Sequence, residues 1–302
     1  MRIAVSGSTG FVGKALCPAL AAAGHEVVPL VRGDRGGEGT ARWDPASGQL
    51  DVAALGAIEA VVHLAGENVA GGRWSTARKR AIADSRGPAT TALCRSLAAL
   101  PQPPRVFVGA SATGIYGDRG DEVLSDDSAI GDGFLAEVAA AWEAGAAPLR
   151  DAGARVVHAR IGMVLDPVGG ALQRMLLPFR LGIGGRLGSG RQWLGWSTRS
   201  DLVRALLHLL GDASLRGPVL VTTPQPVTNA QFTKALGRAL HRPTLLPAPA
   251  FALRLVFGEM ADALLLASQR VQPQKLSASG FVFEHATIDA ALHAVLSAAA
   301  AS

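Results

Sequence analysis

The feature that most constrains this chain is a glycine triplet that follows an apolar run at its N-terminus. Residues 3–13 read Ile-Ala-Val-Ser-Gly-Ser-Thr-Gly-Phe-Val-Gly, with Gly7, Gly10 and Gly13 three residues apart. A tight turn after a buried parallel strand needs a positive φ, which glycine adopts without penalty. The second glycine lets the backbone approach a pyrophosphate, and the third lets the next helix pack closely on the sheet. The pattern therefore predicts a dinucleotide site at a helix N-terminus.

The residues after the triplet have the pattern that such a site requires. An amphipathic stretch from Phe11 to Ala23 ends at Gly24, and a second predicted strand runs from Glu26 to Val31. The triplet thus opens a strand–helix–strand unit, although Pro18 lies inside the predicted helix. A glycine turn with a purely structural role is the alternative.

Composition excludes several classes of protein. The chain has 302 residues, 29 Lys and Arg against 24 Asp and Glu, and 5% aromatic residues. Its basic residues are scattered, and we find neither an apolar run of membrane-spanning length nor a signal sequence. Cys17 and Cys94 lie on predicted helices and form no paired motif, so we expect no disulfide and no metal site. We expect a cytoplasmic protein that binds neither nucleic acid nor a membrane, and its oligomeric state is left open.

Apolar runs alternate with helical stretches along most of the chain. The predicted strands lie at 58–64, 105–110, 154–161 and 218–221, and the predicted helices at 77–99, 133–151, 199–211, 228–240, 248–267 and 288–300. This order predicts an α/β fold with a doubly wound parallel sheet (Rossmann). Residues 1–165 are predicted to form the NAD(P)-binding domain, completed by about 198–222. Residues 166–197 and 223–302 are predicted to form a small, mostly helical C-terminal substrate lobe.

Several short motifs resemble a known superfamily. Besides the glycine triplet these are Val62-His63-Leu64-Ala65-Gly66 and Ser111-Ala112-Thr113-Gly114-Ile115-Tyr116-Gly117. Together they resemble the extended short-chain dehydrogenase/reductase superfamily. Further motifs look like its atypical "epimerase family protein" subgroup and the C-terminal domain of unknown function that accompanies it: Gly66-Glu67-Asn68, Arg73-Trp74, Ser85-Arg86, Phe134-Leu135-Ala136-Glu137, Trp142-Glu143, Trp193-Leu194-Gly195-Trp196, Pro224-Gln225-Pro226-Val227-Thr228-Asn229 and Phe257-Gly258-Glu259-Met260.

The resemblance implies a bound nicotinamide dinucleotide but no particular substrate. Together with the loop pattern, it assigns cofactor binding to Gly7, Thr9, Gly10, Phe11, Val12, Gly13, Leu64, Ala65, Gly66 and Ala110. Arg32 and Arg35 follow the second strand, where a guanidinium would bind a 2′-phosphate, so we expect NADP. Asp34 keeps NAD open as an alternative.

The superfamily's catalytic pair is missing. That pair is a Tyr followed four residues later by a Lys on a helix, and the resemblance places Phe134 and Val138 at those positions. Neither side chain can transfer a proton. Tyr116 is the only tyrosine of the chain, so any tyrosine chemistry must use it.

Three residues remain as candidates for catalysis: Ser111, Tyr116 and Glu67. Ala112 occupies the superfamily's usual hydroxyl position, so Ser111 or its neighbour Thr113 would have to serve. A turn-stabilising role is the alternative for the hydroxyls. Glu67 could act as an acid or base if burial raises its pKa, or it could cap a loop.

Structural roles explain the remaining conspicuous residues. We expect His63 to be a hydrogen-bonded core residue and Thr198 with Asp201 to be a helix cap. The acidic stretch 118–127 is predicted to be a solvated loop over the cleft, and a lid is one interpretation of it. The basic run of residues 73–80 is expected to be solvated, with Arg73 the best placed for substrate contact. Trp193 and Trp196 either floor a pocket or fill the lobe junction.

These observations favour an NADP-binding, atypical short-chain dehydrogenase/reductase-like protein. It would act as an oxidoreductase, or as a nucleotide-sugar-type epimerase, on an unknown small molecule. The alternative is a catalytically inactive NADP-binding sensor or regulatory protein, and the missing Tyr and Lys make this alternative serious.

Overall fold

The fold is built on a parallel sheet with helices on both faces. In the computed structural model, residues 1–33 and 37–300 are described, the last two of them by backbone only. The strands are β1 (Arg2–Ser6), β2 (Glu26–Val31), β3 (Ala41–Arg42), β4 (Ala60–His63), β5 (Val106–Ala112), β6 (Val123–Leu124), β7 (Arg155–Ile161), β8 (Met163–Leu165), β9 (Trp193–Leu194), β10 (Trp196–Thr198), β11 (Gly217–Val221), β12 (Val227–Thr228) and β13 (Arg270–Val271).

The helices alternate with these strands along the chain. They are α1 (Gly13–Ala22), α2 (Val52–Leu55), α3 (Thr76–Asp84), α4 (Gly87–Ala98), α5 (Phe134–Ala144), α6 (Ala147–Asp151), α7 (Gly170–Arg180), α8 (Arg199–Gly211), α9 (Asn229–Leu240), α10 (Ala250–Phe257), α11 (Gln274–Ala278) and α12 (Ile288–Ala300). A 3₁₀ turn covers Thr113–Tyr116, and a π-helical turn covers Ala261–Leu266. Among the described helices, none is both long and apolar enough to cross a membrane.

Seven of the described strands form the central sheet, in the order β11-β7-β5-β4-β1-β2-β3, and every pairing is parallel. The chain runs outward from β1 in one direction through β2 and β3, and in the other through β4, β5, β7 and β11. The topological switch point therefore lies between β1 and β4, where ligands of open α/β sheets bind. The predicted fold class is confirmed.

The two faces of the sheet bury separate apolar cores. Ile3 and Val5 face a core shared with α1 and α8, whereas Ala4 between them faces a core shared with α4 and α6. Successive side chains of a strand point to opposite faces, so a strand covered on both sides must be apolar throughout. This double coverage explains the unbroken apolar runs in the sequence.

Three predicted helices are interrupted in the structure. The stretch 77–99 divides into α3 and α4, with Pro88 in the first turn of α4, and the stretch 133–151 divides into α5 and α6, with Pro148 in the first turn of α6. Proline fits the first turn of a helix because that turn's N–H groups have no helical partner. The stretch 248–267 ends as an α-helix at Gly258, which has a φ of 62°.

The C-terminal lobe contains a helix that the sequence analysis missed. The glycine-rich region after Val168 includes α7, which buries Leu172, Leu176 and Phe179 on one face. These side chains pack with Trp196 and with residues of α9 and α12 in a third apolar core. Leu276 and Phe283 instead join the core beneath the sheet. The domain boundaries drawn from the sequence stay a prediction.

Candidate functional site

The glycine loop joins the end of β1 to the start of α1 at the switch point. Gly7 has a φ of 70°, and a Cβ placed there would lie 2.9 Å from the carbonyl carbon of Leu64 and 3.0 Å from the amide nitrogen of Ala65. A Cβ at Gly13 would lie 2.2 Å from the carbonyl oxygen of Gly7. Packing within the chain therefore requires glycine at both positions.

The middle of the loop is more open. Thr9 and Gly10 are exposed, and a Cβ at Gly10 would approach only the carbonyl oxygen of Gly7, at 3.1 Å. Gly10 is thus the position of the triplet where an added side chain would extend outward, into the space a pyrophosphate would need. This openness is compatible with the predicted phosphate-binding role of the loop, which stays a prediction.

The next residues of the loop connect it to the lobe. The ring of Phe11 lies against the backbone of Gly169 and Gly170, where a Cβ at Gly169 would come within 2.3 Å of the ring. The guanidinium of Arg199 lies 5.3 Å from the same ring. Val12 is half-buried and packs against the sheet core. The Phe11 side chain therefore holds the loop against the start of α7.

A buried polar chain lies under the loop. The Ser6 hydroxyl accepts the amide N–H groups of Leu64 and Ala65 at 3.2 and 3.3 Å, so its own proton is free to go to Nδ1 of His63, 2.6 Å away. Nε2 of His63 lies 2.9 Å from the Thr90 hydroxyl. Burial lowers the pKa of His63 to about 4, so the ring is neutral. The prediction of a hydrogen-bonded core histidine is confirmed.

The segment after β4 is held by Arg86. Its guanidinium donates to the carbonyl oxygen of Glu67 at 3.0 Å, lies against Gly66, and stacks 4.7 Å from the ring of Trp142. Burial lowers the pKa of Arg86 to about 10, and the negative charge of Glu67 partly opposes this shift. The Ser85 hydroxyl accepts the Glu67 amide N–H at 2.9 Å. The backbone of this loop is therefore fixed while the Glu67 side chain is left 40% exposed.

The Glu67 carboxylate belongs to a charged group at the edge of the loop. It pairs with Arg78 at 2.9 Å, and Arg78 also donates to the carbonyl oxygen of Asn68. Arg73 donates to the carbonyl oxygen of Leu255 at 3.5 Å. The basic run is thus only partly solvated, because two of its arginines hold the loop and the neighbouring α10.

The structure corrects the interpretation of Tyr116 as a proton donor to substrate. Its side chain is fully buried, and its hydroxyl donates to the carbonyl oxygen of Ser125 at 2.9 Å and accepts from Arg160 at 2.9 Å. Burial raises the pKa of Tyr116 to about 12, despite the nearby charge of Arg160. A buried phenol with both hydrogen-bonding functions occupied cannot reach a ligand in the cleft.

Ser111 is committed to the same network. It is 2% exposed and donates to Oε1 of Glu143 at 2.7 Å. Arg160 binds that carboxylate with two hydrogen bonds, of 2.8 and 2.9 Å. Burial raises the pKa of Glu143, but the hydrogen bonds and charge of Arg160 outweigh burial and hold it below its usual range. Ser111 therefore stabilises a buried ion pair, and the structure does not support it as a residue facing the reacting carbon.

Sequence reasoning did not assign a role to Arg160 or to its partner Glu143. A charged residue in the middle of the apolar run 154–161 was the available signal, because an arginine buried in a central strand requires a partner. Thr113, the other hydroxyl candidate, is also buried. Ala110, which was predicted to bind the cofactor, lies within β5 beside Ala159 of β7.

An apolar cluster occupies the positions of the superfamily's catalytic pair. Phe134 and Val138 pack with Trp74, Ile82 and Met260. The rings of Phe134 and Trp74 meet edge to face, with centroids 5.1 Å apart.

An ion pair lies over this cluster. The ammonium of Lys79 is 4.5 Å from the centroid of Phe134 and 2.8 Å from the Glu259 carboxylate. The ion pair thus connects α3 to the segment after α10 above this cluster.

The arginine predicted to select NADP lies at the expected edge of the sheet. Arg32 follows β2 and is exposed. Arg35, and with it Asp34, lies outside the described residues.

The structure confirms the predicted helix cap, decides between the two interpretations of Trp196, and corrects the prediction for the acidic stretch at one residue. The Thr198 hydroxyl accepts the amide N–H of Asp201 at 3.0 Å, as a helix cap, and Trp196 is fully buried in the lobe junction. The acidic stretch is solvent-exposed at Asp118, Asp121, Glu122 and Asp127, as predicted, but Asp126 is only 1% exposed. Its two oxygens accept backbone N–H groups of Leu220 and Lys275 at 2.6 and 3.0 Å.

The chain is similar to known proteins over nearly its full length. The model of the NAD dependent epimerase/dehydratase family matches residues 3–219, and that of a domain of unknown function, DUF1731, matches residues 248–295. An epimerase family protein of Mycobacterium bovis is 46% identical over 290 residues, which are 96% of each chain.

Two solved structures share both the fold and much of the sequence. The crystal structure of human epimerase family protein SDR39U1 with NADPH is 35% identical, with a TM-score of 0.90, and 98% of this chain and 99% of that chain are covered. A nucleoside-diphosphate sugar epimerase from Corynebacterium glutamicum is also 35% identical, with a TM-score of 0.81. That comparison covers 98% of this chain and 58% of the other.

Replacing Arg160 should destabilise the fold. Arg160→Leu leaves the Glu143 carboxylate buried without its counter-ion, which typically costs about 3–5 kcal/mol. Arg150→Ala is the matched control, because Arg150 pairs with Asp151 at the surface and its loss should change little. Urea unfolding followed by circular dichroism measures both variants, and equal stabilities would contradict the assigned role.

His63 should make stability fall in acid. Because its pKa drops from 6.5 to about 4 on folding, the unfolded state binds the proton more tightly, and stability is lost as pH falls through that interval. The contribution amounts to roughly 3 kcal/mol, at about 1.4 kcal/mol for each pKa unit. The free energy of unfolding should therefore decline more steeply between pH 6.5 and 4 in the wild type than in His63→Gln. Parallel pH profiles would refute a buried neutral histidine.

Proposed function

The chain belongs to the NAD dependent epimerase/dehydratase family, and from that premise we propose that it is an NADP-dependent oxidoreductase or epimerase acting on a small molecule in the cytoplasm. The observation that carries the proposal is the glycine loop at the switch point between β1 and β4, with Gly10 open and Arg32 beyond the end of β2. The human relative was crystallised with NADPH, which supports the same cofactor here.

The residues present fit such a cofactor. The loop from Gly7 to Gly13 would hold the pyrophosphate at the N-terminus of α1, where backbone N–H groups and the helix dipole favour anions. Arg32 would bind the 2′-phosphate, for which a guanidinium offers a planar set of donors. Leu64, Ala65 and Gly66 would line the neighbouring edge. When bound, the cofactor supplies or accepts a hydride.

Proton transfer on the substrate then falls to Glu67. Ser111 and Tyr116 are held in the buried network of Arg160, and an apolar cluster occupies the positions of the superfamily's Tyr and Lys. Of the three candidates, Glu67 has an exposed carboxylate, on the loop that follows β4. Arg78 orients that carboxylate through their ion pair. We propose that Glu67 exchanges the proton of the reacting oxygen and that Arg78 positions it.

A second function is favoured by one specific observation. Phe134 and Val138, at the positions of the superfamily's catalytic pair, pack with Trp74 in an apolar cluster, as expected of a protein that binds a cofactor without turning it over. In that function the occupancy of the loop by NADPH would report the redox state of the cofactor pool to a partner. The two functions share the cofactor site, and they differ in whether turnover of a substrate requires the Glu67 carboxylate.

The cofactor assignment predicts a preference that depends on Arg32. Wild-type protein should bind NADPH more tightly than NADH, and Arg32→Ala should lose about 1.5–3 kcal/mol of NADPH binding free energy, as expected for a charge-assisted contact, with NADH affinity little changed.

Gly10→Val should abolish the binding of both NADPH and NADH, because the valine side chain fills the cradle. Titration calorimetry measures all three proteins. Equal wild-type affinities would overturn the NADP assignment, and unchanged binding by Gly10→Val would overturn the site.

The enzyme and the sensor differ in their response to Glu67→Gln. Candidate metabolites that raise the melting temperature in the presence of NADPH identify a substrate, because a ligand of the native state stabilises it. Turnover by Glu67→Gln should then fall by about 10²–10⁴-fold, with NADPH affinity unchanged. Tyr116→Phe is the control: its turnover should persist while its stability falls. Full turnover by Glu67→Gln excludes this carboxylate, and tight NADPH binding without turnover of any stabilising metabolite favours the sensor.

A further inference from the structure

The helix α10 presents its apolar side chains to solvent. Phe251 is 72% exposed and Leu255, one turn later, is 76% exposed, whereas Leu253 is the buried residue of this helix. A surface helix ordinarily turns its apolar stripe toward the core. The outer face of α10 is therefore left without a partner within the described chain.

Neighbouring loops extend this exposed surface. Leu245 and Leu246 precede α10 and are 84% and 57% exposed, and Leu181 and Ile183 follow α7 with 65% and 57% exposed. The two stretches run side by side, since the amide N–H of Ala248 donates to the carbonyl oxygen of Arg186 at 2.9 Å. We name Leu181, Ile183, Leu245, Leu246, Phe251 and Leu255 the lobe patch. Several large apolar side chains exposed on neighbouring segments are typical of an interaction site.

The two stretches that carry the lobe patch are basic, and the nearest acidic residues, Glu259 and Asp262, follow α10 and pair with Lys79 and Arg254. Residues 167–200 and 213–258 contain ten Lys and Arg and no Asp or Glu. Arg180, Arg186 and Arg242 lie within the stretches that form the patch, and Nε of Arg242 donates to the carbonyl oxygen of Arg180 at 2.9 Å. Within the described residues, none of these three arginines has a carboxylate at ion-pair distance. The patch therefore combines apolar side chains with unneutralised positive charge.

We propose that the lobe patch docks on the surface of an anionic lipid bilayer. Leucine and phenylalanine side chains would enter the boundary between headgroups and acyl chains, and the arginines would reach the lipid phosphates with their stems along the apolar surface. A second copy of the chain fits less well, because the same positive charge would face itself. The expectation that no membrane is a partner rested on the absence of a long apolar run, and a surface assembled from separate stretches leaves no such signal.

Helix α10 connects the lobe patch to the segment that follows the Glu67 loop. The carbonyl oxygen of Leu255 accepts from Arg73, and Glu259 just beyond α10 pairs with Lys79. Both basic residues follow the loop that carries Glu67. A bilayer seated on the outer face of α10 would therefore contact a helix whose end is bonded to the segment that follows the Glu67 loop. The proposal does not depend on the proposed reaction, and its test needs neither cofactor nor substrate.

Vesicle flotation of the full chain tests the proposal. Wild-type protein should bind vesicles of equal parts phosphatidylcholine and phosphatidylglycerol at least about tenfold more tightly than vesicles of phosphatidylcholine alone, and added salt should weaken binding. The double variant Phe251→Ser, Leu255→Ser should bind the anionic vesicles about tenfold or more weakly than wild type. Arg180→Glu with Arg242→Glu should weaken binding to a similar degree.

Two control variants distinguish binding through the lobe patch from non-specific binding to vesicles. Val52→Ser removes an exposed apolar side chain of α2, and Arg150→Glu reverses an exposed charge on α6. Both should bind vesicles as wild type does, and unchanged melting temperatures show that each variant is folded. Absent binding to anionic vesicles overturns the proposal, as does equal weakening by the controls. Self-association that Leu255→Ser abolishes, measured by sedimentation equilibrium without vesicles, overturns it in favour of a second copy.

Discussion

The close approach of Gly7 to the chain at Leu64 and Ala65 is the contact on which the candidate site depends. A side chain at Gly7 would meet backbone atoms at about 3 Å, so the end of β1 can lie beside the end of β4 only with glycine there. The Ser6 hydroxyl bonds both amides across the same gap, and the neutral ring of His63 completes the contact from below. The glycine loop is consequently held in its shape by the sheet itself, before any ligand contributes.

The second determinant is the buried ion pair of Arg160 and Glu143. Removing these charges from water is costly, and the cost is offset only if their hydrogen-bonding groups are satisfied. Ser111 and Tyr116 supply two of the partners, which commits both hydroxyls to the interior. The apolar cluster around Phe134 closes the neighbouring position. The loop after β4 keeps the Glu67 carboxylate exposed, and for this reason the proposed reaction assigns proton transfer to it.

The lobe faces in two directions. Inward, α7, α9 and α12 bury a core of their own around Trp196. The Lys79–Glu259 ion pair and the hydrogen bond from Arg73 to Leu255 connect the lobe to the segment that follows the Glu67 loop. Outward, α10 and the loops beside it expose leucine and phenylalanine among arginines. The proposed lipid-binding surface and the candidate site are therefore linked through α10 and the segment after it.

The sequence by itself determined the features that local physics encodes. The glycine triplet indicated the loop after β1 through its need for a positive φ. Strand β2 and helices α8 and α12 have the bounds predicted from the sequence pattern. Pro88 and Pro148 in the sequence indicate where the long predicted helices 77–99 and 133–151 divide. Only the tertiary structure decided that Tyr116 and Ser111 serve a buried ion pair, that Asp126 is buried, and that the apolar side of α10 faces solvent. The physical reason is that burial of a hydroxyl, a charge or an apolar face depends on contacts between residues far apart in the chain, and residue type and spacing do not specify those partners.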